Sequence, residues 1–195
     1  MPNIIIDDVL TTSVLSKLQH PIKLVKKSIM GEIPYIIGIT GAPGVGKTTT
    51  AKILHEYIST MGIISYRAGL EDFYFSKEKR EELGIKWHAL PGTHDTAELI
   101  NILHGIKNKK KIKNIPRYCM VNDIPILPTE VNNVINCFIL EGWFLNTNIN
   151  EYSRIAEYID YLIYLDADYV MLKNGDFKEK KHIEQILMAD IPLSK

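Results

Sequence analysis

The stretch that decides the fold is "GAPGVGKT", residues 41 to 48, which meets the pattern G-x-x-x-x-G-K-[ST] at every fixed position. Each fixed residue has a physical task. Gly41 and Gly46 let the backbone curl so that its N–H groups converge on phosphate oxygens. Lys47 reaches the β- and γ-phosphates, and the Thr48 hydroxyl ligates Mg²⁺. The pattern carries weight only between a strand and a helix, and both are predicted here. "PYIIGIT" before it is a short, β-branched apolar run of the kind buried in a parallel sheet. "TTTAKILHEYISTMG" after it has helical spacing and a terminal glycine. A helix N-terminus behind the loop adds a dipole that favours anions. Gly41, Ala42, Pro43, Gly44, Val45, Gly46, Lys47, Thr48 and Thr49 are therefore the candidate nucleotide-binding residues, with a nucleoside triphosphate and Mg²⁺ as the expected ligands.

Working outward, "IISYRA" is strand-like again, and "VINCFILEGWF" and "YIDYLIYLDAD" supply two more buried strands separated by the helix-like "NEYSRIAEY". The alternation predicts an α/β fold: a P-loop three-layer sandwich with a mainly parallel sheet. Residues 7 to 30 read as helical material interrupted at Pro21, an N-terminal helical extension over 1–30 that precedes a main domain over 31–195. The run "KNKKKIK", 107 to 113, reads as a solvated loop. The chain has 195 residues, one domain's worth. Lys plus Arg and Asp plus Glu both number 23, so nothing global favours nucleic acid or an anionic membrane. Cys119 and Cys137 form no metal spacing, and no signal or membrane-spanning stretch is read. The expected setting is a reducing cytoplasm, with Cys137 a small buried hydrophobe.

A P-loop alone does not separate switch GTPases, motor ATPases and small-molecule kinases. The guanine-reading N-K-x-D signature does not occur. A second acidic position does: Glu141, at the end of a strand in "FILEG", is placed to hold Mg²⁺ with Thr48, directly or through water. After the second strand, "LEDFYFSKEKR" puts Glu71 and Asp72 where the chain leaves the carboxyl edge of the sheet. Ligands bind there in open α/β folds, and either carboxylate could accept the proton of an attacking hydroxyl. The turn "LPGTHD", 90 to 95, needs only its Pro-Gly pair to turn. Thr93 or Asp95 could cap the helix suggested by "TAELINILHGI", or the polar residues could serve a site.

The pieces "GAPGVGKTT", "EDFY", "PGTHD" and "ILEGWF", in this order, resemble the P-loop small-molecule kinases that include D-glycerate 3-kinase, with uridine kinase, phosphoribulokinase and bacterial pantothenate kinase more distant. The likeness covers roughly residues 35 to 168. It implies ATP as phosphoryl donor, Lys47, Glu71, Asp72 and Glu141 as catalytic candidates, and a small-molecule acceptor, D-glycerate favoured. It further implies that His94 and Asp95 orient that acceptor and that Arg117, in "IPRY" beside Tyr118, pairs with an acceptor carboxylate. A nucleoside or pantothenate kinase, or a nucleotide-binding protein with little turnover, are the alternatives. Three departures stand out. Glu71 occupies a position that is usually Asp. "CMVNDIP" replaces the expected Asp-Lys-Ser continuation. No arginine follows Arg154, so the expectation is a fold truncated at its C-terminus, with lid cations such as Lys178 or Lys180 and slow transfer.

Overall fold

The computed structural model of this chain describes residues 8–88 and 90–166. Two helices, α1 (Asp8–Lys17) and α2 (Gln19–Met30), lead into β1 (Tyr35–Gly41), α3 (Lys47–Thr60) and β2 (Ser65–Gly69). Then follow a 3-10 turn (Leu70–Phe73), α4 (Lys77–Glu82), α5 (Thr96–Lys107), β3 (Lys111–Cys119) and β4 (Ile124–Val134). The described part closes with β5 (Cys137–Glu141), a second 3-10 turn (Trp143–Asn146), α6 (Asn150–Ala156) and β6 (Tyr161–Leu165). Pro21 does not interrupt the leading helices. The break falls at Leu18, and Pro21 sits in the first turn of α2, where its missing N–H costs nothing.

Four strands form a parallel sheet in the order β2-β5-β1-β6. Alternation along each strand sends side chains to opposite faces, and both faces are covered. Ile36, Phe138, Leu140 and Leu162 pack with Leu99 and Leu103 of α5 and Ile155 of α6. Ile37, Ile39, Ile139 and Ile163 pack on the other side with Leu54 and Ile58 of α3. Leu18, Ile22 and Val25 join this second layer, so α1 and α2 share the core of the sheet. The α/β three-layer arrangement read from the sequence is the fold. Cys137 is fully buried in it, and burial pushes its thiol up to about 12.

Two details differ from expectation. The run "VINCFILEGWF" is strand only to Glu141, because the chain leaves the sheet at Gly142 for a 3-10 turn. A side chain on Gly142 would place its Cβ 2.7 Å from Leu70 Cβ. The lysine run is also no free loop: Lys107 ends α5 and pairs with Asp160, while Lys111 and Lys113 already belong to β3. The antiparallel pair β3–β4 forms a separate ribbon, with register shifts between Ile112 and Asn114 and between Ile115 and Arg117. Pro116, Pro125 and Pro128 are tolerated because a two-stranded ribbon has open edges where an N–H is not needed. Among the described residues no helix is long and apolar enough to cross a membrane.

Candidate active site

The loop after β1 owes its shape to its glycines. Gly41 has φ 146°, and a Cβ there would sit 2.2 Å from the Leu165 carbonyl oxygen of β6. Gly44 (78°) and Gly46 (95°) also take left-handed φ values. Gly46 is the N-cap of α3, and no side chain caps that helix. Its first N–H groups are thereby left to the loop, the arrangement that suits an anion. Lys47 is only 8% exposed, and its Nζ donates to the carbonyls of Gly41 (3.0 Å) and Ala42 (2.8 Å). Burial lowers its pKa, against the pull of the Glu141 and Glu71 carboxylates.

The insertion of β5 between β1 and β2 brings the expected metal ligands together. Glu141 lies level with Ile39 of β1 and Gly69 of β2, and Thr48 Oγ1 donates to Glu141 Oε2 at 3.0 Å. Burial raises the Glu141 pKa. The Thr48 hydrogen bond opposes that shift, the charge of Glu71 adds to it, and Lys47 and Arg67 oppose it. Among the described residues no group of three or more His, Cys, Asp or Glu side chains could hold a metal by itself.

The two adjacent carboxylates after β2 part company. Glu71 lines a cleft of about 280 Å³ together with Lys47, Thr48, Glu141 and Trp143. The Trp143 indole Nε1 donates to Glu71 Oε1 at 3.4 Å. Trp143 is not a candidate on sequence alone, because an aromatic after a strand carries no signal of the cleft it will border. Asp72 turns the other way. Its Oδ2 accepts from the Gly69 N–H (2.9 Å) and from Arg117 Nη1 (2.7 Å), and it lines a second cavity of about 310 Å³.

That second cavity collects Asp95, Arg117 and Tyr118, but these residues and His94 are more engaged than expected. Asp95 caps α5, its Oδ1 accepting from the Glu98 N–H at 2.8 Å. Arg117 lines the cavity but is held by the fold. Its donors go to Asp72, to Thr129 Oγ1 (2.8 Å) and to the Arg67 carbonyl (3.0 Å). His94 is buried to 3% exposure and stacks on Tyr74 at 4.3 Å. Tyr152 OH accepts from the Gly92 N–H at 3.1 Å and shares a hydrogen bond of 2.7 Å with His94 Nδ1. Burial pushes the His94 pKa down to about 4. The sequence showed an imidazole on a turn; the fold buries it behind the turn, between Tyr74 and Tyr152.

Tyr118 belongs to a network that the sequence did not reveal. Arg80, 4% exposed, donates to Tyr118 OH (3.0 Å), to the Phe75 carbonyl (2.9 Å) and through Nη2 to both Asp123 oxygens. His88 Nε2 lies 3.1 Å from the same carboxylate. The network pins the turn between β3 and β4 to α4. Arg80 lies 38 positions from Tyr118 and 43 from Asp123, so the network leaves no local motif.

The family model described as the phosphoribulokinase / uridine kinase family matches residues 36–172. The pantothenate kinase of Mannheimia succiniciproducens is 32% identical over 152 residues, covering 72% of this chain and 47% of that protein. The pantothenate kinase of Coxiella burnetii is 26% identical over 170 residues, covering 80% and 50%. The chain thus spans about half the length of the curated relatives it matches. Among solved structures, D-glycerate 3-kinase from Cryptococcus neoformans superposes with a TM-score of 0.62 at 17% identity, over 82% of this chain and 81% of that one. A structure described as a possible uridine kinase from Bacillus stearothermophilus gives 0.55 at 20% identity, over 83% and 91%. At these identities the structural likeness shows a shared fold.

Proposed function

We propose that this chain, which belongs to the phosphoribulokinase / uridine kinase family, is an ATP-dependent kinase that passes the γ-phosphoryl group to a hydroxyl of a small metabolite. The observation that carries the reading is the meeting of Lys47, the Thr48–Glu141 pair and Glu71 on one cleft behind the glycine loop. The loop N–H groups and the α3 terminus bind and orient the triphosphate, and Lys47 leaves its two carbonyl partners to neutralise charge on the transferring group. Glu71 is the base. It faces the cleft, whereas Asp72 is tied to Arg117, and its carboxylate takes the proton of the acceptor hydroxyl as that oxygen bonds to phosphorus and the bond to the β-phosphate breaks.

Thr48 Oγ1 and Glu141 Oε2 fit Mg²⁺. They are hard oxygen donors at hydrogen-bond distance, with a single carboxylate between them, and Mg²⁺ is usually held by one or two carboxylates plus substrate phosphates. Bound there, the ion would neutralise charge on the phosphoryl oxygens. The proposed lid lysines Lys178 and Lys180 lie outside the described residues.

For the acceptor we propose a hydroxy acid bound beside Glu71 in the glycine-loop cleft. D-Glycerate is suggested by the motif resemblance and pantothenate by the names of the curated relatives, and both combine an alcohol with a carboxylate. Two unpaired cysteines, Cys119 and Cys137, support a cytoplasmic setting. ADP release by this chain with D-glycerate, pantothenate and uridine as acceptors tests the proposal. Turnover on one hydroxy acid supports it, turnover on uridine alone redirects the acceptor to nucleosides, and ATP binding without turnover on any acceptor overturns the kinase reading.

A further inference from the structure

Arg117 is placed as if to read an acceptor, yet three of its five N–H donors go to three separate parts of the fold. Nε donates to Thr129 of β4, Nη2 to the Arg67 carbonyl of β2, and Nη1 to Asp72 in the 3-10 turn. The ion pair is largely shielded, its side chains 24% and 18% exposed. Asp72 Oδ2 closes the turn itself by accepting from the Gly69 N–H. In a helix with three residues per turn, positions three apart share a face and neighbours diverge by about 120°. Leu70 and Phe73 accordingly both point into the core, at 1% and 2% exposure. Glu71 and Asp72 take the two remaining directions, one to the glycine-loop cleft and one to the ribbon. Rotation of the turn about its buried edge would carry both carboxylates together, and Arg117 holds the one that is not in the cleft.

We propose that the Asp72–Arg117 pair is a positioning device that fixes the Leu70–Phe73 turn so that Glu71 reaches the glycine-loop cleft, and that Arg117 is not an acceptor ligand. This rests on Glu71 being the base. Because Arg117 springs from β3, one wall of the second cavity is joined rigidly to the group that does the chemistry in the first. A misplacement of about 1 Å is enough to cost roughly a hundredfold in rate.

The test is steady-state kinetics of the full chain with Asp72→Asn, Arg117→Ala, Arg117→Lys and the double variant Asp72→Asn/Arg117→Ala. The expected result is a fall in kcat of tenfold or more in Asp72→Asn and Arg117→Ala, with the KM values for ATP and acceptor within about twofold, since the reacting geometry is lost and binding is kept. Arg117→Lys recovers part of the rate, and the double variant is no slower than the slower single, because the two residues act as a unit. A rise in acceptor KM at unchanged kcat makes Arg117 a ligand and overturns the proposal, as do additive losses. Asp72→Asn preserves size and decides the matter if Arg117→Ala does not fold. A readout free of turnover is the emission of Trp143, whose indole touches Glu71, in a Trp87→Phe background. Asp72→Asn shifts it if the turn moves, and unchanged emission with unchanged kcat sinks the idea. Glu71→Gln keeps the two questions apart. Wild-type turnover there removes the base assignment, whereas an inactive Glu71→Gln beside fully active Asp72 and Arg117 variants removes the positioning role alone.

Discussion

Acidification should destabilise this protein through His94. An exposed imidazole takes up its proton near pH 6.5, while burial holds His94 neutral down to about 4. Between those values the unfolded chain binds a proton that the folded chain refuses. The His94 contribution to stability is therefore full above about pH 7 and is lost as pH drops through the window. Each unit of difference is worth about 1.36 kcal/mol, so the full window of about 2.5 units amounts to roughly 3 kcal/mol, of which about 2 kcal/mol is lost between pH 7 and pH 5. The structural cause is specific: protonation would place a charge on a ring 3% exposed, packed among Tyr74, Phe144 and Tyr152, where little water can solvate it. His55, whose pKa is also lowered by burial, contributes with the same sign, so wild type is compared with His94→Gln. Urea unfolding at pH 7 and pH 5 gives the slopes. His94→Gln is less stable at pH 7 through lost ring packing, but its loss on acidification is smaller by about 2 kcal/mol. Equal losses in the two proteins would refute the burial argument.

Lys47→Ala removes a charge-assisted partner worth on the order of 1.5–3 kcal/mol, so ATP affinity by calorimetry falls roughly ten- to a hundredfold; unchanged affinity and unchanged turnover refute the site. Glu71→Gln keeps ATP affinity and lowers kcat by about 10²- to 10⁴-fold, and turnover near wild type would remove it as the base. Glu141→Gln keeps the acceptor for Thr48 but loses the charge, so the Mg²⁺ concentration for half-maximal turnover rises at least about tenfold; an unshifted Mg²⁺ titration speaks against Glu141 as a ligand. Gly41→Ala drives a Cβ to 2.2 Å from the Leu165 carbonyl at a φ of 146°, which costs about 1–3 kcal/mol in thermal or urea unfolding and weakens ATP binding; a wild-type midpoint would show that β6 yields there.

The sequence by itself determined what local chemistry can fix. The glycines at 41 and 46 have no substitute where φ is positive or another backbone closes in, so the loop was legible as a phosphate cradle before its strand and helix were seen. Apolar β-branched runs against helical periodicity were enough for β1, α3, β2, β5 and β6, and hence for the layered α/β fold. Only the tertiary structure decided what depends on chain order in space. The placing of β5 between β1 and β2 sets Glu141 against Thr48, 93 positions away, and no spacing rule foretells a strand inserted between earlier ones. The burial of His94 needed Tyr74 and Tyr152, and the fixing of Arg80 needed Asp123. The choice between Glu71 and Asp72 shows why. Neighbours on a three-residue turn point about 120° apart, and sequence supplies both carboxylates without saying which direction is which. Burial of Leu70 and Phe73 sets the turn's axis, and Arg117, reached only when the chain returns as a ribbon, claims Asp72 and leaves Glu71 to the cleft.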